Sequence, residues 1–299
     1  MNTRSKRNRV LSILVASSCA CFALPAKGAE PGAARPGNPI FAFCMDTHDA
    51  KKRTLPEQAE MLKELGFDGA GHVGLENVPE RLRTLDAAGL KLFLLGLRID
   101  LTAKDRPYLP QLKEVLPLLK GRDVALYVTI GGMKPADPAG EALAVPMLRE
   151  MADVAAESGV RVVLYCHTGD WLVRVDHAVA LSKQVDRPNL GFIFNLCHWL
   201  RNEEPTDLKA LLGPAMPYLF AVSINGADVA GKSEPGWDRL IQPLDQGTFD
   251  IYALLKTLQA LDYRGPVALM CYGIGGDARE HLTGSIAQWR KLSDRLASQ

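Results

Sequence analysis

Four strand-like runs in the second half of the chain each end in polar residues capable of chemistry. These runs are Arg161–Gly169, Leu190–His198, Tyr218–Gly226 and Pro266–Gly273. Each run is apolar, β-branched or aromatic, and a helical pattern follows it. Repeated strand–helix units build a parallel sheet, and such folds place their active sites at the carboxyl ends of the strands. The residues predicted to converge on one pocket are Tyr165, His167, Asn195, His198, Ser223, Asn225 and Cys271.

Eight strand–helix units can be counted along the chain. Strands are predicted near 40–44, 67–72, 90–97, 123–130, 161–166, 190–195, 218–225 and 266–272. Helices are predicted near 55–65, 79–88, 110–119, 141–158, 171–186, 206–213, 249–262 and 282–297. Thr54 and Glu57 form a capping-box pattern at the first helix, and Gly66 ends it. The pattern predicts an α/β protein with one (β/α)8 barrel domain over residues 40–299.

The amino terminus has the pattern of a secretory signal peptide. A basic segment is followed by an apolar stretch from Val10 to Leu24 and then by small residues up to Ala29. We therefore expect a signal peptide over residues 1–29, a flexible Pro/Gly-rich lead-in over 30–39, and an exported protein, periplasmic or extracellular. The later segments contain no apolar run long enough for an integral membrane segment. No basic patch is present, so nucleic-acid binding is not expected.

Four cysteines remain after residue 29, and all lie near carboxyl ends of predicted strands. They are Cys44, Cys166, Cys197 and Cys271. Because an exported protein can form disulfides, the pairs Cys166–Cys197 and Cys44–Cys271 stay open. Four buried free thiols that act as small hydrophobic groups are the alternative.

Two histidines are the candidate catalytic residues. His198 lies three residues after Asn195 at the end of the sixth predicted strand, and His167 follows the fifth. A histidine can donate, accept or transfer a proton near neutral pH, so the pair is suited to acid–base chemistry. A buried, hydrogen-bonded structural histidine is the alternative at each position.

The candidate substrate-binding residues are polar or aromatic side chains near the same strand ends. They are Asn195, Asn225, Tyr165, Ser223, Trp171 and Gln242. Amide and hydroxyl groups suit sugar hydroxyls, and an indole ring can stack on a sugar ring. Gln242 belongs to the longest predicted connection, 226–248, which also carries Trp237 and could cover the pocket as a lid.

Several segments resemble the xylose isomerase-like TIM barrels of the sugar phosphate isomerase/epimerase superfamily, and an exported branch in particular. The resemblance spans about Ile40 to the last helix. It rests on LKELGFDG, FNLCHWL and IQPLDQGTFD, with LYCHTG and CYGIGGDARE in addition. It implies a TIM barrel that acts on a small-molecule carbohydrate.

The family's usual site holds a divalent metal with two Glu, one Asp and one His from strands five to eight. In this sequence the matching positions are Tyr165, Asn195, Ser223 and Cys271, so all four depart from the pattern. His198 resembles the family's substrate-binding histidine, and His167 matches a histidine common in parts of the family. The resemblance thus implies proton transfer by the two histidines, while a metal held by loop carboxylates such as Asp46, Glu76 or Asp245 stays open.

Three functions follow from this resemblance. The first is a carbohydrate isomerase or epimerase that acts by proton transfer without the standard four-ligand metal site, a chemistry for which two histidines are suited. The second is a lyase or hydrolase acting on an oxidised (keto) sugar, in which a histidine removes an acidic carbon-bound proton. The third is a sugar-binding barrel without catalysis.

Overall fold

Eight parallel strands form a closed barrel in the computed structural model, which describes residues 1, 37–203, 207–229 and 235–298. The strands are β1 (Ile40–Phe43), β2 (Gly69–His72), β3 (Lys91–Asp100), β4 (Ala125–Gly131), β5 (Arg161–Tyr165), β6 (Leu190–Asn195), β7 (Leu219–Ile224) and β8 (Val267–Met270). Each strand pairs with the next, and the pairing of β1 with β8 closes the ring. The predicted (β/α)8 architecture is therefore confirmed.

Helices follow the strands and pack around the barrel. They are α1 (Leu55–Leu65), α2 (Val78–Ala88), α3 (Tyr108–Val115), α4 (Ala139–Ala156), α5 (Val175–Val185), α6 (Leu196–Asn202), α7 (Leu208–Leu212), α8 (Trp237–Leu240), α9 (Ile251–Ala260) and α10 (Ala278–Ala297). The predicted caps lie where helices begin and end. Glu57 accepts a hydrogen bond from the Thr54 backbone N–H (2.8 Å), and Gly66 ends α1 in the left-handed conformation.

Helix α6 was not predicted and matters for the site. It begins directly after β6, and Leu196, Trp199 and Leu200 bury its apolar face at helical spacing. His198 consequently lies in the first turn of a helix rather than in a loop. The structure also extends β3 to Asp100, beyond the predicted end at residue 97, and Arg98 lies within the strand.

Alternation along each strand separates two apolar layers. Residues such as Phe43, Tyr127 and Tyr165 point into the barrel, while the residue before each of them packs against the helices. Gly96 of β3 leaves room for the Tyr127 ring, because a Cβ there would lie 2.3 Å from the tyrosine oxygen. The small residue on β3 therefore decides how deeply an aromatic ring of β4 enters the barrel.

The four cysteines are free thiols in the structure. In each pairing left open by the sequence, one thiol faces the barrel interior and the other faces the helical layer. Cys197 and Cys44 pack with the interior residues, whereas Cys166 and Cys271 pack with the outer ones. Alternation thus points the two sulfur atoms of each pair into different layers.

Pro36–Gln299 forms one compact unit. The predicted signal peptide, apart from Met1, and the lead-in up to residue 36 lie outside the described residues. Within the described part of the chain, no helix combines the length and the apolar character needed to cross a bilayer.

Candidate functional site

A cavity of about 660 Å³ opens at the carboxyl ends of the strands. Most of its polar lining comes from β3 to α6, namely Arg98, Thr129, His167, Thr168 and His198, and Thr47 after β1 adds a hydroxyl. Its floor and remaining wall are mainly apolar, with Phe43, Tyr127, Tyr165, Ile241 and Met270 among them. This is the end of a barrel where catalytic residues are usually found. The segment after β7 contributes Trp237 and Ile241, so part of the long connection does reach the pocket.

The two candidate catalytic histidines lie side by side in this cavity. His167 follows β5, His198 lies in α6, and their ring centroids are 4.4 Å apart. β5 and β6 are adjacent in the barrel, so both rings are on the same wall. One substrate atom or two neighbouring atoms can therefore contact both imidazoles.

Hydrogen bonds fix which nitrogen of His198 carries the proton. The Thr168 backbone N–H donates to His198 Nδ1 (3.1 Å), and the Thr168 hydroxyl lies 2.9 Å from the same nitrogen. The Asn202 amide donates to that hydroxyl (2.9 Å), which leaves the hydroxyl proton for His198. Because a backbone N–H can only donate, Nδ1 must be the acceptor and Nε2 carries the hydrogen.

Burial keeps His198 in this neutral form. The residue is 7% exposed. Desolvation, with a smaller contribution from the neighbouring His167, lowers its pKa to about 3. At neutral pH His198 is therefore a neutral hydrogen-bond donor through Nε2, and its part in proton transfer stays a prediction.

His167 is better placed to accept a proton. Burial is also the main cause that lowers its pKa, partly opposed by Asp170, so it is neutral at pH 7. Its Nδ1 lies 3.6 Å from a carboxylate oxygen of Asp170 and is buried without a hydrogen-bond partner among the described residues. The carboxylate favours a proton on Nδ1, which leaves the lone pair on Nε2.

Asp170 is itself held in place by a bidentate ion pair. Arg98 donates to its two carboxylate oxygens at 2.6 and 2.7 Å. Asp170 is buried, whereas more than half of the Arg98 side chain is exposed. The pair links the ends of β3 and β5 and fixes the carboxylate beside His167.

The sequence did not single out Asp170 or Thr168. Arg98 was also not among the candidate site residues. The signal in the sequence is the run of four polar or small residues, His167–Asp170, directly after β5. This run indicates a functional loop but does not single out Asp170 or Thr168.

Five of the six predicted substrate-binding residues do not line the cavity; Tyr165 does. Asn195 is buried, donates to the Tyr165 hydroxyl and accepts from the Cys197 thiol at 3.0 Å. Ser223 is buried, and its hydroxyl has no hydrogen-bond partner among the described residues. Both lie at inward positions of their strands by alternation, and Asn195 bonds two lining residues, Tyr165 and Cys197, without lining the cavity itself.

The remaining three residues hold the scaffold together. The Asn225 amide donates to the backbone oxygens of Gly226 and Leu240, both at 2.7 Å, and anchors the connection after β7. The Gln242 side chain bonds the Arg239 oxygen (2.7 Å). Trp171 is 0% exposed, and its indole donates to the Asp137 oxygen (2.8 Å). The prediction that Trp171 stacks on a sugar is wrong, because no ligand can reach a ring that is fully buried.

The residues at the family's metal positions do not fit a divalent metal. On β8, alternation turns Met270 into the cavity and Cys271 toward the helices, which corrects the position inferred from the sequence by one residue. The four inward positions are then a phenol, an amide, a hydroxyl and a thioether: Tyr165, Asn195, Ser223 and Met270. Burial raises the pKa of Tyr165 well above its usual value, so this set offers no anionic oxygen. No cluster of three or more His, Cys, Asp or Glu elsewhere in the described chain could replace it.

Acidification is expected to reduce the stability of the protein partly through His198. Between its unfolded pKa near 6.5 and its folded pKa of about 3, only the unfolded state takes up the proton. The free energy of unfolding therefore falls as pH falls, by up to about 1.4 kcal/mol per pH unit. Urea unfolding at about pH 7 and about pH 5 measures how much unfolding free energy is lost on acidification. This loss should be smaller in His198→Gln than in the native chain, by up to about 2 kcal/mol. Equal losses in the two proteins would contradict the burial of a neutral imidazole.

Comparisons with known proteins place this architecture in a family. A 3-dehydroshikimate dehydratase from Pseudomonas aeruginosa is 27% identical over 256 residues, which cover 80% of this chain but only 39% of that protein. The structure of a D-allulose 3-epimerase from Methylomonas sp. superposes with a TM-score of 0.65 at 18% identity, covering 86% of this chain and 97% of that one. The structure of a 3-keto-D-glucoside 4-epimerase from E. coli superposes with a TM-score of 0.64 at 19% identity, covering 85% of this chain and 99% of that one. These two structural likenesses show the fold alone. The family described as xylose isomerase-like TIM barrel matches residues 59–292, more than three quarters of the chain, and the protein belongs to that family.

Proposed function

We propose that the protein is a metal-independent enzyme that moves a proton at a carbon next to a carbonyl group of a sugar derivative, as a sugar isomerase or epimerase does. The observation that carries the proposal is the pair of neutral imidazoles 4.4 Å apart, one of which has a fixed tautomer. The relatives, which include epimerases and a dehydratase, support an enzyme rather than a passive scaffold.

His198 acts as the hydrogen-bond donor to the substrate carbonyl. Because Nδ1 bonds Thr168, the Nε2–H group is the one left to donate, and no described residue accepts a hydrogen bond from it. When a proton leaves the neighbouring carbon, negative charge develops on the carbonyl oxygen. A neutral imidazole N–H in a site of low polarity stabilises that charge, which is the role that a neutral histidine has in triosephosphate isomerase.

His167 acts as the base. Its Nε2 takes the carbon-bound proton, the electron pair of the C–H bond forms a carbon–carbon double bond, and the carbonyl oxygen becomes an enolate oxygen held by His198. The imidazolium that forms is next to Asp170, whose charge stabilises it. The proton of the hydroxyl on the deprotonated carbon passes to the enolate oxygen, and His167 returns its proton to the former carbonyl carbon. The deprotonated carbon thereby becomes the new carbonyl, and the enzyme regains its starting state.

The position of both imidazoles on one wall bears on the stereochemistry. The facing arc from β7 through β2 carries no imidazole or carboxylate among its described lining residues. A single base returns the proton to the face from which it was taken. This arrangement favours a shift of the proton between neighbouring carbons over inversion at one carbon, which needs a second acid on the opposite face.

We further propose that the substrate is unphosphorylated and that the protein works outside the cytoplasm. Arg98 is the one cationic side chain among the described lining residues, and Asp170 neutralises it through two hydrogen bonds. A phosphate dianion would therefore find no uncompensated positive charge there. This agrees with the expected signal peptide, since phosphorylated sugars are mostly cytoplasmic.

The test is solvent hydrogen exchange. A panel of keto-sugars is incubated with the protein in heavy water, and mass spectrometry or NMR follows deuterium at the carbon next to the carbonyl. We expect incorporation above the rate without protein. A panel that raises the melting temperature but shows no exchange above background would make the protein a binding barrel instead.

Chelation of divalent metals is expected to leave this exchange rate unchanged within about twofold, because the inward positions hold no anionic oxygen ligands. The measurement repeats the exchange after dialysis against EDTA, with and without added Mg²⁺, Mn²⁺ and Zn²⁺. A loss of rate that one of these metals restores would show that a metal takes part.

Elimination is the second candidate reaction, and the similarity to a dehydratase favours it. It begins with the same transfer of a proton from carbon to His167. The electron pair then expels an oxygen substituent from the next carbon, and that oxygen takes the proton from the His167 imidazolium and leaves as water or an alcohol. Release of water or alcohol from a panel sugar distinguishes elimination from isomerisation, in which the mass of the substrate does not change.

A further inference from the structure

The cavity has one polar side and one apolar side, and they occupy different arcs of the barrel. The arc from β3 to α6 carries the guanidinium, hydroxyl and imidazole groups described above. The arc from β7 through β8 and β1 to β2 carries Trp237, Ile241, Met270, Phe43 and Val73. A ligand that fills the cavity therefore meets hydrogen-bonding groups on one side and mainly carbon on the other.

The apolar arc continues onto the exposed mouth of the cavity. Trp237, Val73 and Tyr272 are 43%, 51% and 55% exposed and belong to the few large apolar or aromatic side chains with that much exposure in the described chain. All three line the cavity. Exposed apolar groups that surround a pocket mark a surface that binds something.

The few polar groups of this arc are of little use to a second sugar ring. The Thr47 hydroxyl donates to the Cys44 backbone oxygen at 2.9 Å. Burial is the main cause that raises the pKa of the Cys44 thiol well above its usual value, so the thiol stays neutral and is a weak hydrogen-bond donor. Sugar hydroxyls placed against Phe43, Ile241 and Met270 would lose water without gaining partners, which is costly.

The size of the cavity also exceeds that of one sugar ring. Its volume of about 660 Å³ lies within the range of pockets that enclose ligands of more than one ring. We infer that the substrate is a glycoside of an oxidised (keto) sugar, whose sugar lies against the histidine side and whose aglycone is an aromatic or similarly apolar group that lies against the Trp237–Tyr272–Val73 arc. This inference rests on the proposed function for the orientation of the sugar.

The test compares binding of matched glycosides that the protein cannot turn over. Methyl and phenyl glycosides of glucose, galactose and xylose, together with cellobiose, are titrated by calorimetry against the full-length protein. We expect a phenyl glycoside to bind about tenfold or more tightly than the methyl glycoside of the same sugar, since burial of the ring removes apolar surface from water. Cellobiose should bind no better than the methyl glucoside.

Variants identify the wall that is responsible. Trp237→Ala combined with Tyr272→Ala should reduce the phenyl-to-methyl preference to about twofold or less, because both rings of the arc are removed. Leu143→Ala is the matched control, since Leu143 is an exposed apolar residue (42%) on α4 that does not line the cavity. It should keep the full preference, and its exposed position makes misfolding no concern.

Three outcomes would overturn the inference. The first is equal binding of phenyl and methyl glycosides, the second is tighter binding of cellobiose than of the phenyl glucoside, and the third is a preference that survives in the double variant. A native protein that is a dimer, that dissociates in the double variant and that shows no phenyl preference would assign the arc to contact between copies.

Failure of this inference can be distinguished from failure of the proposed function. Exchange into a simple keto-sugar without an aryl preference keeps the proton-transfer proposal. An aryl preference without exchange keeps only the binding site.

Discussion

Replacement of His167 by glutamine is expected to slow deuterium incorporation into a keto-sugar substrate by about 10²–10⁴-fold, the usual contribution of a positioned base. Glutamine has a similar length and can still form hydrogen bonds, but it cannot take a proton. The dissociation constant for an unreactive analogue should change little, because the apolar wall and His198 remain. The measurement is the exchange rate at saturating substrate, followed by NMR in heavy water.

A matched histidine serves as the control for this prediction. His281 lies on α10, its two ring nitrogens have no hydrogen-bond partner among the described residues, and it does not line the cavity. Burial lowers its pKa as it does for His167. His281→Gln should keep the native exchange rate within about twofold. A His167→Gln protein that exchanges as fast as His281→Gln would remove His167 from the mechanism.

The acid limb of the exchange rate gives an independent check on the same residue. A base must be unprotonated to act, and the pKa of His167 is lowered by burial below its usual value. The rate should therefore stay constant from neutral pH to below about pH 6.5 and then fall on further acidification. Asp170→Asn removes the charge that raises this pKa, so it should move the fall to still lower pH while it reduces the maximal rate.

Replacement of Trp171 by alanine is expected to cost about 3–5 kcal/mol of unfolding free energy, the range for a large aromatic residue in a core. The ring is fully buried, packs 4.7 Å from the His177 ring, and lies against Gly140, where a Cβ would come within 2.3 Å of the indole. Its N–H bond to the Asp137 oxygen would also be lost. Urea unfolding gives the measurement.

Trp237→Ala is the comparison that separates the two tryptophans. Trp237 is 43% exposed at the mouth, so its loss should change the unfolding free energy by about 1 kcal/mol or less. The binding of ligands should respond in the opposite order, with a large effect at Trp237 and little at Trp171. Similar destabilisation by the two substitutions would contradict the assignment of one ring to the core and the other to the cavity.

Much of the fold follows from local patterns in the sequence. Apolar runs of strand length alternate with helical periodicity, and the caps at Thr54 and Asp250 lie where helices begin. The missed helix α6 shows the limit of this reasoning. Its seven residues are too few for a clear periodic signal, and its apolar face is recognisable only against the barrel that it packs on.

The position of the candidate site, but not all of its residues, could be predicted from the sequence. Strand ends meet in a barrel, so the proximity of His167 and His198 could be expected from their positions after β5 and β6. Which side chains reach the cavity could not be inferred, since a shift of one residue exchanges inside and outside. Met270 and Cys271 differ by that one residue.

The order of apolar and polar residues along the chain is enough to determine the barrel, because each element buries one face and each strand must find a parallel neighbour. The same order also determines that polar groups gather at one end of it. The tertiary structure alone decides that His198 is a neutral donor with its proton on Nε2, that Asp170 stands beside His167, and that Trp171 lies in the core. Protonation state depends on burial and on partners far apart in the chain, such as Thr168 and His198 or Arg98 and Asp170, and these distances exist only after the chain has folded.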